Sequence, residues 1–360
     1  MPSEIASHDP QLISTGPSPS LGETVPAGEA ADIQAIVRLV EAHVRDAAKN
    51  GIARRDAHSK GHGCVRAEFQ VLEGLAPELR IGIFAEPRRY AAVIRFSNGA
   101  GVMAPDKQGD SRGMAIKLLD VAGSPSGTQD FVLVDHSTFV IRNVADYREL
   151  QAASPQWKFF LPDWNPFRLR LHELLITLAI QRQVVKNPLS QRYWSMTPFA
   201  FGKVACKFSA RPVGPLSAFQ DTEAADFLRG NLENHLATES ASFDFMVQLR
   251  TQPDAMPIED PTIDWREAVA PFRTLARITI PPQPLGEADF CENLSFTPWH
   301  GLPAHRPLGG LNRARREVYE AISRLRHTMN AKPRREPTEA DIISMAASHP
   351  TQNNPYLTQQ

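Results

Sequence analysis

The chain has 360 residues, with 39 Lys+Arg against 40 Asp+Glu, 42% hydrophobic residues and 22% charged. A net charge of −1 excludes an overall electrostatic pull toward nucleic acid or anionic membrane, and the length is ample for burying a core. Three dispersed cysteines (Cys64, Cys206, Cys291) argue against a disulfide framework and suit a reducing, cytoplasmic compartment.

Residues 1–30 are rich in Ser, Pro, Gly and Glu, and are expected to form a disordered leader. They show no basic stretch followed by an apolar one, so no secretory signal is expected. Ile33, Ile36, Val37, Val40 and Val44 recur at helical spacing, and Asn50-Gly51 is a natural stop for that helix. Ala67, Phe69 and Val71 alternate with polar residues and predict a strand. Further strands are expected at Ala91–Phe96, Met114–Leu119, Asp130–Val134 and Thr138–Ile141, several of them separated by glycine-rich turns. Residues 150–200 carry Pro and Trp and one helical piece from Leu169 to Val185; its apolar run Leu174–Ile180 is far too short to span a bilayer. Strand patterns return at Val204/Cys206/Phe208, Phe243/Phe245/Val247/Leu249 and Ala276/Ile278/Ile280, with a helix between the first two near Glu223–Leu236. A helix from Asn312 to Asn330 presents the stripe Val318, Ile322, Leu325 and Met329. A last helix starts at Thr338, with Asp341 completing a capping box, and the tail after His349 is expected to fray. The elements imply an α+β fold: an antiparallel barrel or strongly curved sheet with helices outside, occupying residues 31–330 as a single domain, then a short C-terminal helix and tail over 331–360.

Two distant segments carry chemistry. In Arg55-Asp56-Ala57-His58-Ser59-Lys60-Gly61-His62-Gly63, glycines let the backbone approach a flat ligand, and His58 is suited to general acid–base work. Alone, the same segment also reads as a surface histidine in a glycine loop. Zinc ligation by His58, His62 and Cys64 would need a helix that Gly61 and Gly63 disfavour. In Arg315-Arg316-Glu317-Val318-Tyr319, Tyr319 is the only one of five tyrosines with an arginine four residues before it. On a helix Arg315, Tyr319, Ile322 and Arg326 share one face. Free tyrosine titrates near pH ~10, and a buried cation with ferric iron would hold it as phenolate. A surface helix with solvated arginines explains the same residues. Together, a phenolate below and an imidazole above ferric haem make an arrangement for cleaving hydroperoxides.

Further stretches then fall into line: Arg95-Phe96-Ser97; Asp110-Ser111-Arg112-Gly113-Met114-Ala115-Ile116-Lys117; Phe139-Val140-Ile141-Arg142-Asn143; and Glu292-Asn293-Leu294-Ser295-Phe296-Thr297-Pro298. In this order, across roughly residues 50–327, they resemble the haem catalases. The likeness covers the haem-barrel core, as in the short catalase-related peroxidases, without the C-terminal helical domain. It implies an eight-stranded antiparallel β-barrel with surrounding helices, binding haem b (Fe-protoporphyrin IX). It also implies roles: His58 as distal base, Ser97 orienting it, Arg55 and Arg95 pairing the haem propionates, Tyr319 as axial ligand to the iron, and Arg315 supporting the phenolate. The implied reaction cleaves hydrogen peroxide or an organic or lipid hydroperoxide through a ferryl intermediate, with an organic electron donor and a place in the response to peroxide stress. Homo-oligomers are compatible with that reading.

Departures from the family pattern bear on the activity. Val134 stands where catalases carry a distal asparagine, with Asp135 one step away, so efficient disproportionation is not expected. Ala57 replaces a valine and widens the pocket. An allene-oxide-synthase-like isomerase shares the scaffold, but its threonine before the distal histidine is Ala57 here. A haem-binding protein without turnover is a third reading.

Overall fold

In the computed structural model, residues 9–13, 16–216 and 222–347 are described. Strands β1 (Gly61–Val71), β2 (Arg89–Asn98), β3 (Arg112–Leu118), β4 (Gln129–Val134), β5 (Tyr193–Trp194), β6 (Phe199–Phe201), β7 (Val204–Val213), β8 (Ala241–Leu249) and β9 (Arg273–Ile280) are all antiparallel to their neighbours. Their order is β5-β4-β3-β2-β1-β9-β8-β7, and β7 pairs back onto β5, so eight strands close a barrel. Strand β6 lies outside it, against β7. The seam is thin: β5 meets β4 only at Val134↔Trp194, and β7 only at Tyr193↔Ala210 and Trp194↔Ser209.

Alternation explains the barrel's interior. Phe69, Phe131, Phe208, Phe243 and Phe245 point inward and are at most 1% exposed. The rings of Phe69, Phe131, Phe208 and Phe245 interlock, with Phe131 and Phe245 centroids 4.6 Å apart, while Phe243 packs against Tyr193. Each such ring contributes roughly 2–3 kcal/mol by burial.

Helices α1 (Glu29–Ala47), α2 (Val144–Ala152) and α6 (Gly310–Met329) form a second core on the barrel's outside. The predicted stripes meet there: Ile33, Ile36, Val40 and Val44 of α1 pack with Val318, Ile322 and Leu325 of α6. Met329, assigned to the same stripe, is exposed at the helix end. The remaining helices are α3 (Leu171–Gln181), α4 (Phe227–Leu236), α5 (Ala288–Asn293) and α7 (Glu339–Ala347). The capping box forms: Thr338 N–H donates to Asp341 at 2.8 Å and Asp341 N–H to Thr338 Oγ1 at 3.3 Å.

Two expectations are corrected. Thr138–Ile141 is not a strand; the chain leaves the sheet after Val134, and Phe139 N–H bonds the Pro261 carbonyl while Ile141 enters the helical core. Residues 16–30, expected to be disordered, are packed. Leu21 sits with Met256 and Trp265. Glu23 pairs with Arg306 at 2.7 Å and Arg313 at 3.0 Å, and Glu29 with Arg313 at 2.6 Å. The tail after His349 lies outside the described residues. All three cysteines are buried and free. Among the described residues no helix is long and apolar enough to cross a membrane.

Candidate active site

The loop after α1 delivers His58 with φ +59°, a left-handed conformation that costs a non-glycine residue energy and recurs at functional positions. Ladder-like bonds hold it: His58 N–H donates to the Gly99 carbonyl at 2.9 Å and Ser59 N–H to the Ala100 carbonyl at 3.2 Å. The ring's Nδ1 lies 2.9 Å from the Asn98 carbonyl oxygen and 3.1 Å from Ser97 Oγ. A carbonyl only accepts, so Nδ1 carries the proton and Nε2 keeps its lone pair. Burial, and then the charge of Arg95, lowers the His58 pKa to about 4. At neutral pH the ring is therefore an uncharged base. Gly113 of β3 lies directly beneath it: a Cβ there would be 2.7 Å from His58 Nδ1 and 2.8 Å from Ser97 Oγ. Gly61 is less tightly placed, since a Cβ there would sit 3.1 Å from Arg95 Nη2, the end of a flexible side chain.

Helix α6 supplies the opposite wall. Its i, i+4 spacing brings Arg315 Nη2 to 3.2 Å from the Tyr319 hydroxyl oxygen, and the guanidinium is fixed by Thr197 Oγ1 and Asn312 Oδ1, each at 3.1 Å. A guanidinium donates and cannot accept, so the Tyr319 oxygen is held as an acceptor. Tyr319 and His58 line one cavity, set between the outer surface of β3–β4 and α6. Met114, Val132, Phe296 and Ile322 make its walls largely apolar.

The cavity wall carries three guanidinium groups, Arg55, Arg95 and Arg326. Its one carboxylate is Asp56, whose pKa burial raises. Behind the arginines Glu292 accepts from Arg55 at 2.9 Å and Arg326 at 3.0 Å. Burial raises the Glu292 pKa, but these cations more than offset it and hold it low. Arg326 is lowered to about 9, first by burial and next by the charge of Arg55. Buried positive charge in excess of its carboxylates is a cradle for an anionic group.

His58, Ser97, Arg55, Arg95 and Tyr319 thus share one cavity, with Arg315 one hydrogen bond behind it. His62 does not line it; its Nε2 bonds Asn98 Oδ1 at 2.9 Å. Sequence reasoning did not assign Arg326, Glu292 or Tyr147. Arg326 was legible as the next residue on the Arg315–Tyr319–Ile322 face. Tyr147, on α2, has its pKa raised to about 12 by burial. Val134 pairs with Gly113 and shares the outward face of β4 with Val132, and no asparagine is among the lining residues.

No family model and no curated protein matches the chain. Among solved structures it is similar to a fungal catalase, with TM-score 0.64 and 18% identity over 80% of this chain and 62% of the other. It is similar also to catalase A from Saccharomyces cerevisiae, with TM-score 0.63 and 18% identity over 88% and 74%. A bacterial catalase gives TM-score 0.61 and 18% identity over 98% and 67%. The chain has the catalase fold. It spans 62% of the length of the fungal catalase. The catalase fold accounts for the closed ring of eight strands with helices outside. Within that fold the cavity lies outside the phenylalanine core, where barrel and α6 meet.

Proposed function

We propose that this catalase-fold chain binds haem b and acts as a haem-dependent peroxidase on hydrogen peroxide or organic hydroperoxides. The observation that carries the reading is the cavity shared by an arginine-braced tyrosine oxygen and a neutral imidazole, with three guanidinium groups on its wall. The residues fit the group. Tyr319 is an oxygen donor for ferric iron, Arg55, Arg95 and Arg326 suit two carboxylates, and the apolar walls suit a porphyrin face.

When bound, haem supplies a Lewis-acidic iron and the electrons for O–O cleavage. The chain's own residues handle the proton. His58 Nε2 would take it from one oxygen of the hydroperoxide and return it to the other, which would leave as water or an alcohol. Ser97 and the Asn98 carbonyl keep the ring in the tautomer this requires. Gly113 leaves it the space. Arg315 keeps the Tyr319 oxygen turned into the cavity. An organic electron donor completes turnover. Val134 offers no amide to hold a second hydrogen peroxide, so peroxidation is favoured over disproportionation.

The test is peroxide turnover by haem-loaded His58→Ala protein, with the haem absorption band as control for loading. Loss of at least about 100-fold is expected. Turnover equal to wild type would remove His58 as the base and the catalytic reading with it.

A further inference from the structure

Residues 155–186 present an apolar surface that the barrel does not cover. Trp164 is 69% exposed, Phe167 97%, Leu171 53%, Leu175 56% and Val184 82%. Trp157 is exposed too, its ring edge-on to Trp164 at 4.8 Å. Helix α3 is inverted: its one buried residue is Glu173, bound to Arg142 at 2.9 Å, while Leu171 and Leu175 face out. A helix packed on its own core would bury the leucines and expose the glutamate.

The chain's net charge of −1 conceals a local excess. This stretch holds five basic residues, Lys158, Arg168, Arg170, Arg182 and Lys186, against the acids Asp163 and Glu173. Asp163 pairs with Arg168 and Glu173 with Arg142, and Arg170 is itself neutralised by Asp146 and Glu149 of α2, so the excess rests on the three remaining cations. Lys158, Arg182 and Lys186 are exposed and form no ion pair among the described residues. Exposed Trp, Phe and Leu beside uncompensated cations match the chemistry of an anionic lipid surface, where rings enter the headgroup layer and ammonium or guanidinium groups meet phosphates. Two copies of this face brought together would oppose like charges.

We propose that the face built from residues 155–186 docks on an anionic lipid surface. It continues toward the cavity. The end of α3 abuts the loop over His58: a Cβ on Gly109 would lie 1.7 Å from the Gln181 carbonyl oxygen. Val102 in that loop is also exposed. Docking therefore places the loop over His58 beside the bilayer, which suits hydroperoxides residing in lipid. That last step rests on the proposed peroxidase function; the docking does not.

The full-length chain is sedimented with vesicles of phosphatidylcholine alone and of phosphatidylcholine mixed with phosphatidylglycerol. Binding to the mixed vesicles is expected, weakened by added salt. Lys158→Glu, Arg182→Glu and Lys186→Glu should each weaken it about fivefold or more. Phe167→Ser and Trp164→Ser should weaken it with the thermal midpoint unchanged, because both side chains are largely exposed. Absence of binding to mixed vesicles, or binding that ignores these substitutions, overturns the proposal. So does a dimer in solution that Phe167→Ser converts to monomer without vesicle binding, which would make the face a contact between copies. His58→Ala should bind vesicles as wild type does, so docking and catalysis fail separately.

Discussion

Replacing Gly113 by alanine tests the distal arrangement more sharply than removing His58 itself. The added Cβ would stand 2.7 Å from His58 Nδ1, 2.8 Å from Ser97 Oγ and 2.9 Å from His58 Cε1. Reaching an ordinary contact of 3.4 Å requires the ring to retreat by roughly 0.7 Å. That displacement stretches the 2.9 Å bond to the Asn98 carbonyl and the 3.1 Å contact to Ser97 toward or past the hydrogen-bond limit. Overpacking of this kind costs about 1–3 kcal/mol of stability, and a catalytic group misplaced by about 1 Å loses around 100-fold in rate. The assay is kcat/KM for hydrogen peroxide and cumene hydroperoxide, with haem content and the thermal midpoint measured on the same preparations. The expected result is folded, haem-loaded protein with kcat/KM reduced by one to two orders of magnitude. Wild-type turnover from a folded Gly113→Ala protein would show that His58 does not act from this position.

Four other outcomes are expected. Tyr319→Phe should lose haem or shift its absorption spectrum strongly, and an unchanged spectrum would place the iron ligand elsewhere. Val134→Asn should increase oxygen evolution from hydrogen peroxide; no increase would remove the missing amide as the limit on disproportionation. Glu292→Gln leaves Arg55 and Arg326 without their shared carboxylate and should destabilise the protein by about 3–5 kcal/mol in urea, more without haem than with it; equal loss with and without haem would argue against an anion seated on these arginines. Stability should also fall on acidification. Burial lowers the pKa of His58 and His305 to about 4 and that of His62 to about 3, from an ordinary 6.5. The unfolded chain therefore binds more protons than the folded one between these values, so this contribution is complete above pH ~6.5 and is lost as pH falls toward ~4. A denaturant midpoint that stays level from pH 7 to pH 4.5 would contradict it.

Sequence pattern was informative where structure is local. Alternation at 67/69/71, 243/245/247 and 276/278/280 reflects a pleat with one face in the barrel, and the i, i+4 pair Arg315–Tyr319 needs only a helix to meet. Bringing His58 and Tyr319 to one cavity took a likeness to a known family, because no pattern reports a contact across 261 positions of sequence. Polar composition misled at residues 16–30, where Glu23 and Glu29 find their cations on Arg306 and Arg313. Alternation misled at Thr138–Ile141, where Phe139 and Ile141 are apolar because the chain is crossing to the helical core. Helix α2 carried a legible start two residues past the misread strand, since Asn143 accepts from Asp146 N–H at 2.9 Å.

The two-residue seam of the barrel has a consequence for how the molecule comes apart. Every other junction in the ring is a ladder of several residues, whereas β5 bonds its neighbours at Tyr193 and Trp194 alone. Amides there should exchange with solvent ahead of the rest of the ring. Trp194 leans on Val134, and Val134 on Gly113, so the first rung to open undermines the floor beneath His58 while α6 still grips Tyr319. If the proposed function holds, gentle heating should silence proton transfer before it releases haem.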